Sequence, residues 1–438
     1  MRGTFPKFSN SMLAIAMTMG MVTAGLAVTS TPAMAKKSKG PQASAGFIAT
    51  AKASQDALAA VDKAKASGDA AALAEAVTVA TAPVEASAAA VENDADKLYA
   101  GQFLLTLGQA KNDAAMNAKG LKMMLESGQL DGEIVPQYQF YLGNFAYASK
   151  DYATAAKALK AATDAGFDDD ALGPILADSY AEAGMPREGI AAFKQAVAAR
   201  RGAGKTIPES WFRRASLIAY NAKLAPEAID VAALSVEGST SNMAWLNAAQ
   251  MTRTFGNLDV GATLDLFRLM DRTGALKTEA KFAAPEYKEY IEAADPRRLP
   301  GEVVRVVDEG VAAGVLSLSD TWVAEARQNA AGRIAADKAS IQGEVAGAMA
   351  AGGMRALGLA DAFLNYGDPA QAEALYKAAL ASGGADANVA LTRLGIAQLE
   401  QGKVAEAKAS FEKVTGVRQP LARLWLIHIA NSAAGAAS

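Results

Sequence analysis

Apolar residues along this chain recur at spacings of three and four, the period of a helix with one buried face. The pattern also repeats itself on a longer scale. PQYQFYLGNFAYASKDYATAAKALKAATDAG (136–166) superimposes on DALGPILADSYAEAGMPREGIAAFKQAVAAR (170–200). Leu142-Gly143 falls on Leu176-Ala177, Ala155 on Gly189, Leu159 on Phe193 and Ala162 on Ala196, each offset by 34 residues. Near the C-terminus the pattern returns as LADAFLNYGDPAQAEALYKAALASGG and LGIAQLEQGKVAEAKASFEKV. There Leu359-Ala360 matches Leu394-Gly395, Gly367 matches Gly402, Ala372 matches Ala407 and Tyr376 matches Phe411. The offset is 35, with the extra residue assigned to the Gly383-Gly384 loop. A fixed period of this length marks stacked units, none of which buries its own apolar face. The predicted fold is all-α: tandem helix–turn–helix repeats forming an α-solenoid or superhelix.

The residue types suit that geometry. Gly143, Ala177, Ala360 and Gly395 are small where the first helix of a pair meets the second, which lets the axes approach to ~8–10 Å. Tyr152, Leu159, Phe193, Tyr376 and Phe411 are the knobs between neighbouring pairs, each worth about 1.5–3 kcal/mol when fully buried. Gly184, Gly256, Gly367 and Gly402 are expected to end first helices in the left-handed region. Asp368-Pro369 supplies an N-cap and a proline at the first helical position. In these features the segments resemble tetratricopeptide repeats (TPR), whose 34-residue units carry a hydrophobic-small pair in the first helix and a small-large-small set in the second. The tryptophan early in that family's first helix and its terminal proline are mostly missing. The resemblance is clear over about 145 residues and looser over about 60 more, around Phe212–Ser235 and Trp245–Arg268.

The pattern divides the chain further. Residues 46–130 form an N-terminal helical region that reads as degenerate repeats, with helices expected at 46–66, 69–92, 95–109 and 111–126. Residues 131–277 and 351–438 are the two repeat blocks. Residues 278–350 between them are an irregular helical insertion or linker, in which Pro285, Pro296 and Pro300 break the chain before a longer helix from about Ser319 to Lys338.

Composition adds an address. The chain has 438 residues, 51% hydrophobic and 20% charged, with no cysteine, and alanine, the best helix former, dominates it. Arg2 and Lys7 precede the apolar run Met12–Val28, and Thr31-Pro32-Ala33-Met34-Ala35 completes a small-residue cleavage site. Residues 1–35 are therefore expected to be a signal peptide cleaved after Ala35, and 36–45 a disordered lead-in. The competing reading, an uncleaved anchor, meets a 17-residue run broken by Thr18, Gly20, Thr23 and Gly25, short of the ~20 a spanning helix needs. No transmembrane segment is expected in the mature chain. Removing Arg2 and Lys7 takes the formal net charge from −3 to −5, which leaves no basic stripe for nucleic acid. A periplasmic or secreted protein is expected.

The same inventory limits chemistry. One histidine, His428, and no cysteine exclude His–His metal sites and Cys–His nucleophiles. His428 sits among Leu424, Trp425 and Ile427 and reads as structural. Asp168-Asp169-Asp170 lacks the ligand spacing of a calcium loop and reads as a cap for the helix starting near Ala171. Glu209-Ser210 resembles the catalytic pair of lytic transglycosylases, but the segment those enzymes need downstream is missing, so Glu209 is expected in the first turn of a helix after Pro208. No catalytic residue, cofactor or metal is expected, and the protein is read as a non-enzyme.

What remains is a groove. The TPR resemblance implies that first-helix residues not used in packing line a concave peptide-binding surface. Carried over position by position, these are Asn144, Tyr147, Asp178 and Glu182, then Arg213, Tyr220, Asn221, Gln250 and Arg253, then Asp361 and Asn365. Tyrosine and arginine dominate protein-binding hot spots. Phe140 occupies the position where the carboxylate-clamping members of that family carry lysine. The functional expectation is an exported scaffold for a protein or peptide partner in the cell envelope. The alternative is an envelope-enzyme accessory or a glycan- or peptidoglycan-associated protein.

Overall fold

The computed structural model describes residues 42–437, and within them the chain is all-α. The expected signal peptide and most of the expected lead-in lie outside the described residues. None of the described helices is long and apolar enough to cross a membrane. The chain divides into two compact units, one ending at Arg214 and the other starting at Ala215.

The first unit is a row of antiparallel helix pairs: α1 (Ala45–Ser67) with α2 (Ala70–Ala89), and α3 (Asp94–Lys111) with α4 (Ala114–Glu126). Then come α5 (Val135–Ala148) with α6 (Tyr152–Asp164), and α7 (Leu172–Glu182) with α8 (Pro186–Gly202). Aspartate and asparagine side chains cap the starts: Asp69 caps α2, Asn93 caps α3 in a reciprocal box with Asp96, Asp113 caps α4 and Asp151 caps α6. The buried residues fall into successive local clusters, each bridging neighbouring helices, as expected of a linear stack. At Gly143 the two helices meet so closely that a Cβ would lie 2.4 Å from Leu159 Cγ, which explains the small residue at that repeat position. Helix α9 (Glu209–Asn221) starts in this unit with Glu209 in its first turn, and Trp211 and Phe212 pack on Phe193.

The second unit is built differently. Its helices are α10 (Ala225–Val236), α11 (Asn242–Phe255), α12 (Val260–Thr273), α13 (Ala280–Ala294), α14 (Pro300–Ala312) and α15 (Thr321–Ala351). These are followed by α16 (Gly353–Asn365), α17 (Pro369–Ser382), α18 (Ala387–Glu400), α19 (Val404–Phe411) and α20 (Gln419–Ala437). Neighbours pair as before, but α12 also touches α18 and α20, and α10 touches α20. The array therefore returns on itself, and its buried residues form one continuous core from Ala232 to Ile429. Asn431 locks the return, its Nδ2 donating to Val236 O at 2.7 Å and its Oδ1 accepting Gly238 N–H at 2.8 Å.

Several sequence expectations need correction. Gly184, Gly367 and Gly402 do take positive φ, but at the end of α11 it is Asn257 that does so (φ 50°), while Gly256 stays right-handed. Pro285 breaks nothing. It lies inside α13, where only the bond to the Lys281 carbonyl is forfeited. Pro300 opens α14, and α15 runs 31 residues because nothing helix-breaking intervenes before Gly352-Gly353, both with positive φ. The Asp168–Asp170 run is not an N-cap. Asp168 and Asp170 hold Arg200 at 2.7 and 2.5 Å, and only Asp169 turns back to accept Ala171 N–H.

Candidate functional site

Ion pairs link consecutive helix pairs at close to the repeat period. Arg200 reaches Asp168 across 32 residues and Arg214 reaches Asp178 across 36. In the second unit Arg268 reaches Glu302 and Arg305 reaches Asp271, both across 34. Equivalent positions on stacked helices face one another, so opposite charges one repeat apart meet. Two polar surfaces result, one in each unit.

On the first, α5, α7 and the start of α9 bring together Tyr147, Asp178 and Arg214. Arg214 Nε donates to Asp178 Oδ1 at 2.5 Å, and the Tyr147 hydroxyl also hydrogen-bonds that carboxylate. Burial raises the Asp178 pKa despite Arg214, and burial together with the nearby Asp178 charge pushes Tyr147 up to about 12. Glu182, one turn beyond Asp178 on α7, is exposed, as is Arg213.

The second surface is a cavity of about 690 Å³ within the second unit. Arg268, Tyr290 and Glu302 in its lining belong to a buried charge network centred on Asp265, which accepts from Arg268 at 2.8 Å, Arg393 at 3.2 Å and Arg418 at 2.7 Å. Arg268 also forks onto Glu302 at 2.8 and 2.6 Å, Tyr290 donates to Glu302, and Arg393 reaches Asp361, which accepts from Tyr376 at 2.7 Å. The three arginines meet Asp265, Glu302 and Asp361, and Arg418 also reaches the exposed Asp259 at 3.5 Å. Burial alone would raise Asp265 and Glu302, but the arginines outweigh it and hold both below the usual carboxylate range. At Asp361 burial wins and raises the pKa.

The groove residues expected from sequence split accordingly. Tyr147, Asp178 and Glu182 do gather on one face, and Arg213 stands exposed beside the Arg214 that makes the contact. Tyr220 and Asn221 are exposed, with the Tyr220 ring edge-on to Phe255 at 5.8 Å. The others are not open groove positions. Asn144 is buried, because first helices pack against the next pair as well as their own partner, and Asp178, though on the gathered face, is itself buried under Arg214. Gln250 and Arg253 are occupied by Glu286 at 2.7 and 2.9 Å. Asp361 belongs to the buried network, and Asn365 is buried at the cavity wall with its Oδ1 accepting Glu302 N–H. Sequence reasoning missed Arg214 and the cavity. The one available signal was the 34-residue spacing of the Arg268/Glu302 and Asp271/Arg305 pairs.

His428 is set edge-on between Trp245 and Trp425, with ring centroids 6.1 and 6.2 Å away. Burial, helped by Arg272, lowers its pKa to about 4. Among the described residues no group of side chains could hold a metal ion.

These features define an all-α tandem helical-repeat protein. No protein-family model matches the chain, and no curated protein does either. Among the solved structures that match is a circular tandem repeat protein with novel repeat topology and enhanced subunit contact surfaces. It is 12% identical, the match covers 88% of this chain and 92% of that one, and the TM-score is 0.15. At that score the likeness carries no weight, and the architecture rests on the helix pairs themselves.

Proposed function

We propose that this protein is an exported, non-catalytic scaffold of TPR type that holds a protein or peptide partner in the cell envelope. The observation that carries this reading is the face around Tyr147, Asp178 and Arg214. There a locked tyrosine–carboxylate–guanidinium set lies next to exposed Glu182 and Arg213, on rigid helices rather than loops. A preordered surface of mixed charge with an aromatic suits macromolecular recognition, since little side-chain entropy is lost on binding. Export is proposed on the leader pattern of residues 1–35, and the TPR assignment on the 34-residue register of small and large positions.

Affinity capture from the envelope fraction tests the scaffold. The native protein should retain a discrete partner, and Arg213→Ala combined with Glu182→Ala should weaken capture at least tenfold while leaving the melting curve unchanged. Both positions are exposed, where substitutions usually change stability by no more than ~0.5 kcal/mol. Capture that is indifferent to the double substitution would remove the groove from this face.

A further inference from the structure

Helix α15 is secured unevenly along its length. Its first half is anchored: Val323, Ala326 and Ala330 are buried, and Arg327 pairs with Asp308 on α14 at 2.6 Å. From residue 331 to 351 only Ile341 and Ala348 are buried, and none of residues 331–340 is. A stretch with so little apolar contact depends on its own helix propensity, and here that is poor. Gly332, Gly343 and Gly347 interrupt it. Glycine is the weakest helix former after proline, because it has the most backbone freedom to lose. At Gly332 and Gly343 no packing explains the choice, since a Cβ at either would meet nothing within 4 Å. The far end is a ready hinge. Gly352 adopts φ 60° and ψ −150°, a conformation essentially reserved for glycine, and Gly353 also has positive φ (53°). Ser382 holds that joint, its Oγ accepting Gly353 N–H at 2.6 Å. A polar contact ties down the middle: the Tyr366 hydroxyl donates to Asp337, and Lys338 lies over the same ring at 5.0 Å. The weak stretch is also part of the cavity wall, through Ile334 and Lys338, with α12, α14, α16 and α18 supplying most of the rest.

We propose that residues 331–351 form a strap across this cavity, which unwinds locally while the rest of the second unit stays folded. The moving stretch lies between the anchored turn at Ala330 and the Gly352-Gly353 hinge, and the Tyr366–Asp337 bond is its latch. Closed, the strap shuts off the inner wall at Ile396, which is buried; open, it admits solvent and solutes there. Segments with few buried apolar contacts open at a lower free energy than the whole domain, and the elements that admit ligands are drawn from them. The inference is independent of the groove in the first unit, and either can fail without the other.

Hydrogen exchange of the intact protein, followed by mass spectrometry, tests the strap. Amides of residues 331–351 should exchange at least tenfold faster than those of α14 and α18. Gly332→Ala combined with Gly343→Ala should slow that exchange about tenfold, since both positions have room for the methyl group. Tyr366→Phe removes the latch and should speed it at least threefold. Gly358→Ala is the control: it lies beyond the hinge, exposed on α16 with equal room, and should leave the exchange of 331–351 unchanged. Access to the cavity is read by alkylation of an Ile396→Cys variant, the chain having no cysteine of its own. Its rate should fall with the paired glycine substitutions and rise with Tyr366→Phe. The proposal is overturned if 331–351 exchanges no faster than α14 and α18, or if Gly358→Ala slows it as much as the glycine pair does. Alkylation indifferent to both the glycine pair and Tyr366→Phe would also overturn it.

Discussion

At the scale of single residues, the positions that sequence identified best are those set by close approach. Gly143 was legible as a contact because its repeat equivalents are all small, and a Cβ there has no room beside Leu159. Gly143→Leu should cost about 1–3 kcal/mol or more by overpacking, and an unchanged denaturation midpoint would contradict the contact. Asp178 shows what sequence could not supply. It sits at a repeat position read as open groove, yet α9, the helix after its own pair, supplies Arg214 and buries it. His428 carries a pH prediction. The folded state holds its ring neutral down to about pH 4, whereas the unfolded chain takes up a proton near 6.5. The stability it contributes is therefore complete above pH 6.5 and is lost as the pH falls towards 4, at up to about 1.4 kcal/mol per unit. As the chain's one histidine, it gives an unambiguous proton NMR titration, and an apparent pKa near 6.5 would show that the ring is not enclosed by Trp245 and Trp425.

At the scale of elements, periodicity was sufficient wherever a helix pair packs only on its neighbours. The four N-terminal helices expected at 46–66, 69–92, 95–109 and 111–126 fall within three residues of α1 to α4. Between 278 and 350 it failed at Pro285, which lies inside α13, whereas Pro296 and Pro300 do mark the break between α13 and α14. Proline blocks a helix only by one missing N–H and a local clash, and α13 absorbs both. The closure of the second unit was also illegible. It joins Asp265 to Arg393 and Arg418, which lie 128 and 153 residues away, and no local pattern encodes a contact at that range. That closure makes Asp265 a test of the element packing. Asp265→Ala leaves three buried guanidinium groups short of a carboxylate and should cost about 3–5 kcal/mol of unfolding free energy, read by chemical denaturation. A loss under 1 kcal/mol would show that α12, α18 and α20 do not meet around a dry charge cluster.

At the scale of the whole molecule, the leader pattern carries the proposed address and the repeat face the proposed role. If the leader acts as proposed, N-terminal sequencing of the native protein begins at Lys36, and a protein retaining Met1 in the membrane fraction would replace export with anchoring. The role is the central claim, and site-specific photo-crosslinking in living cells tests it most directly. A photoreactive residue placed at Glu182 or Arg213 should give a discrete adduct with one partner, while one at Lys157, exposed on the second helix of its pair, should give none. An adduct from Lys157 with silence at Glu182 and Arg213 would contradict the account.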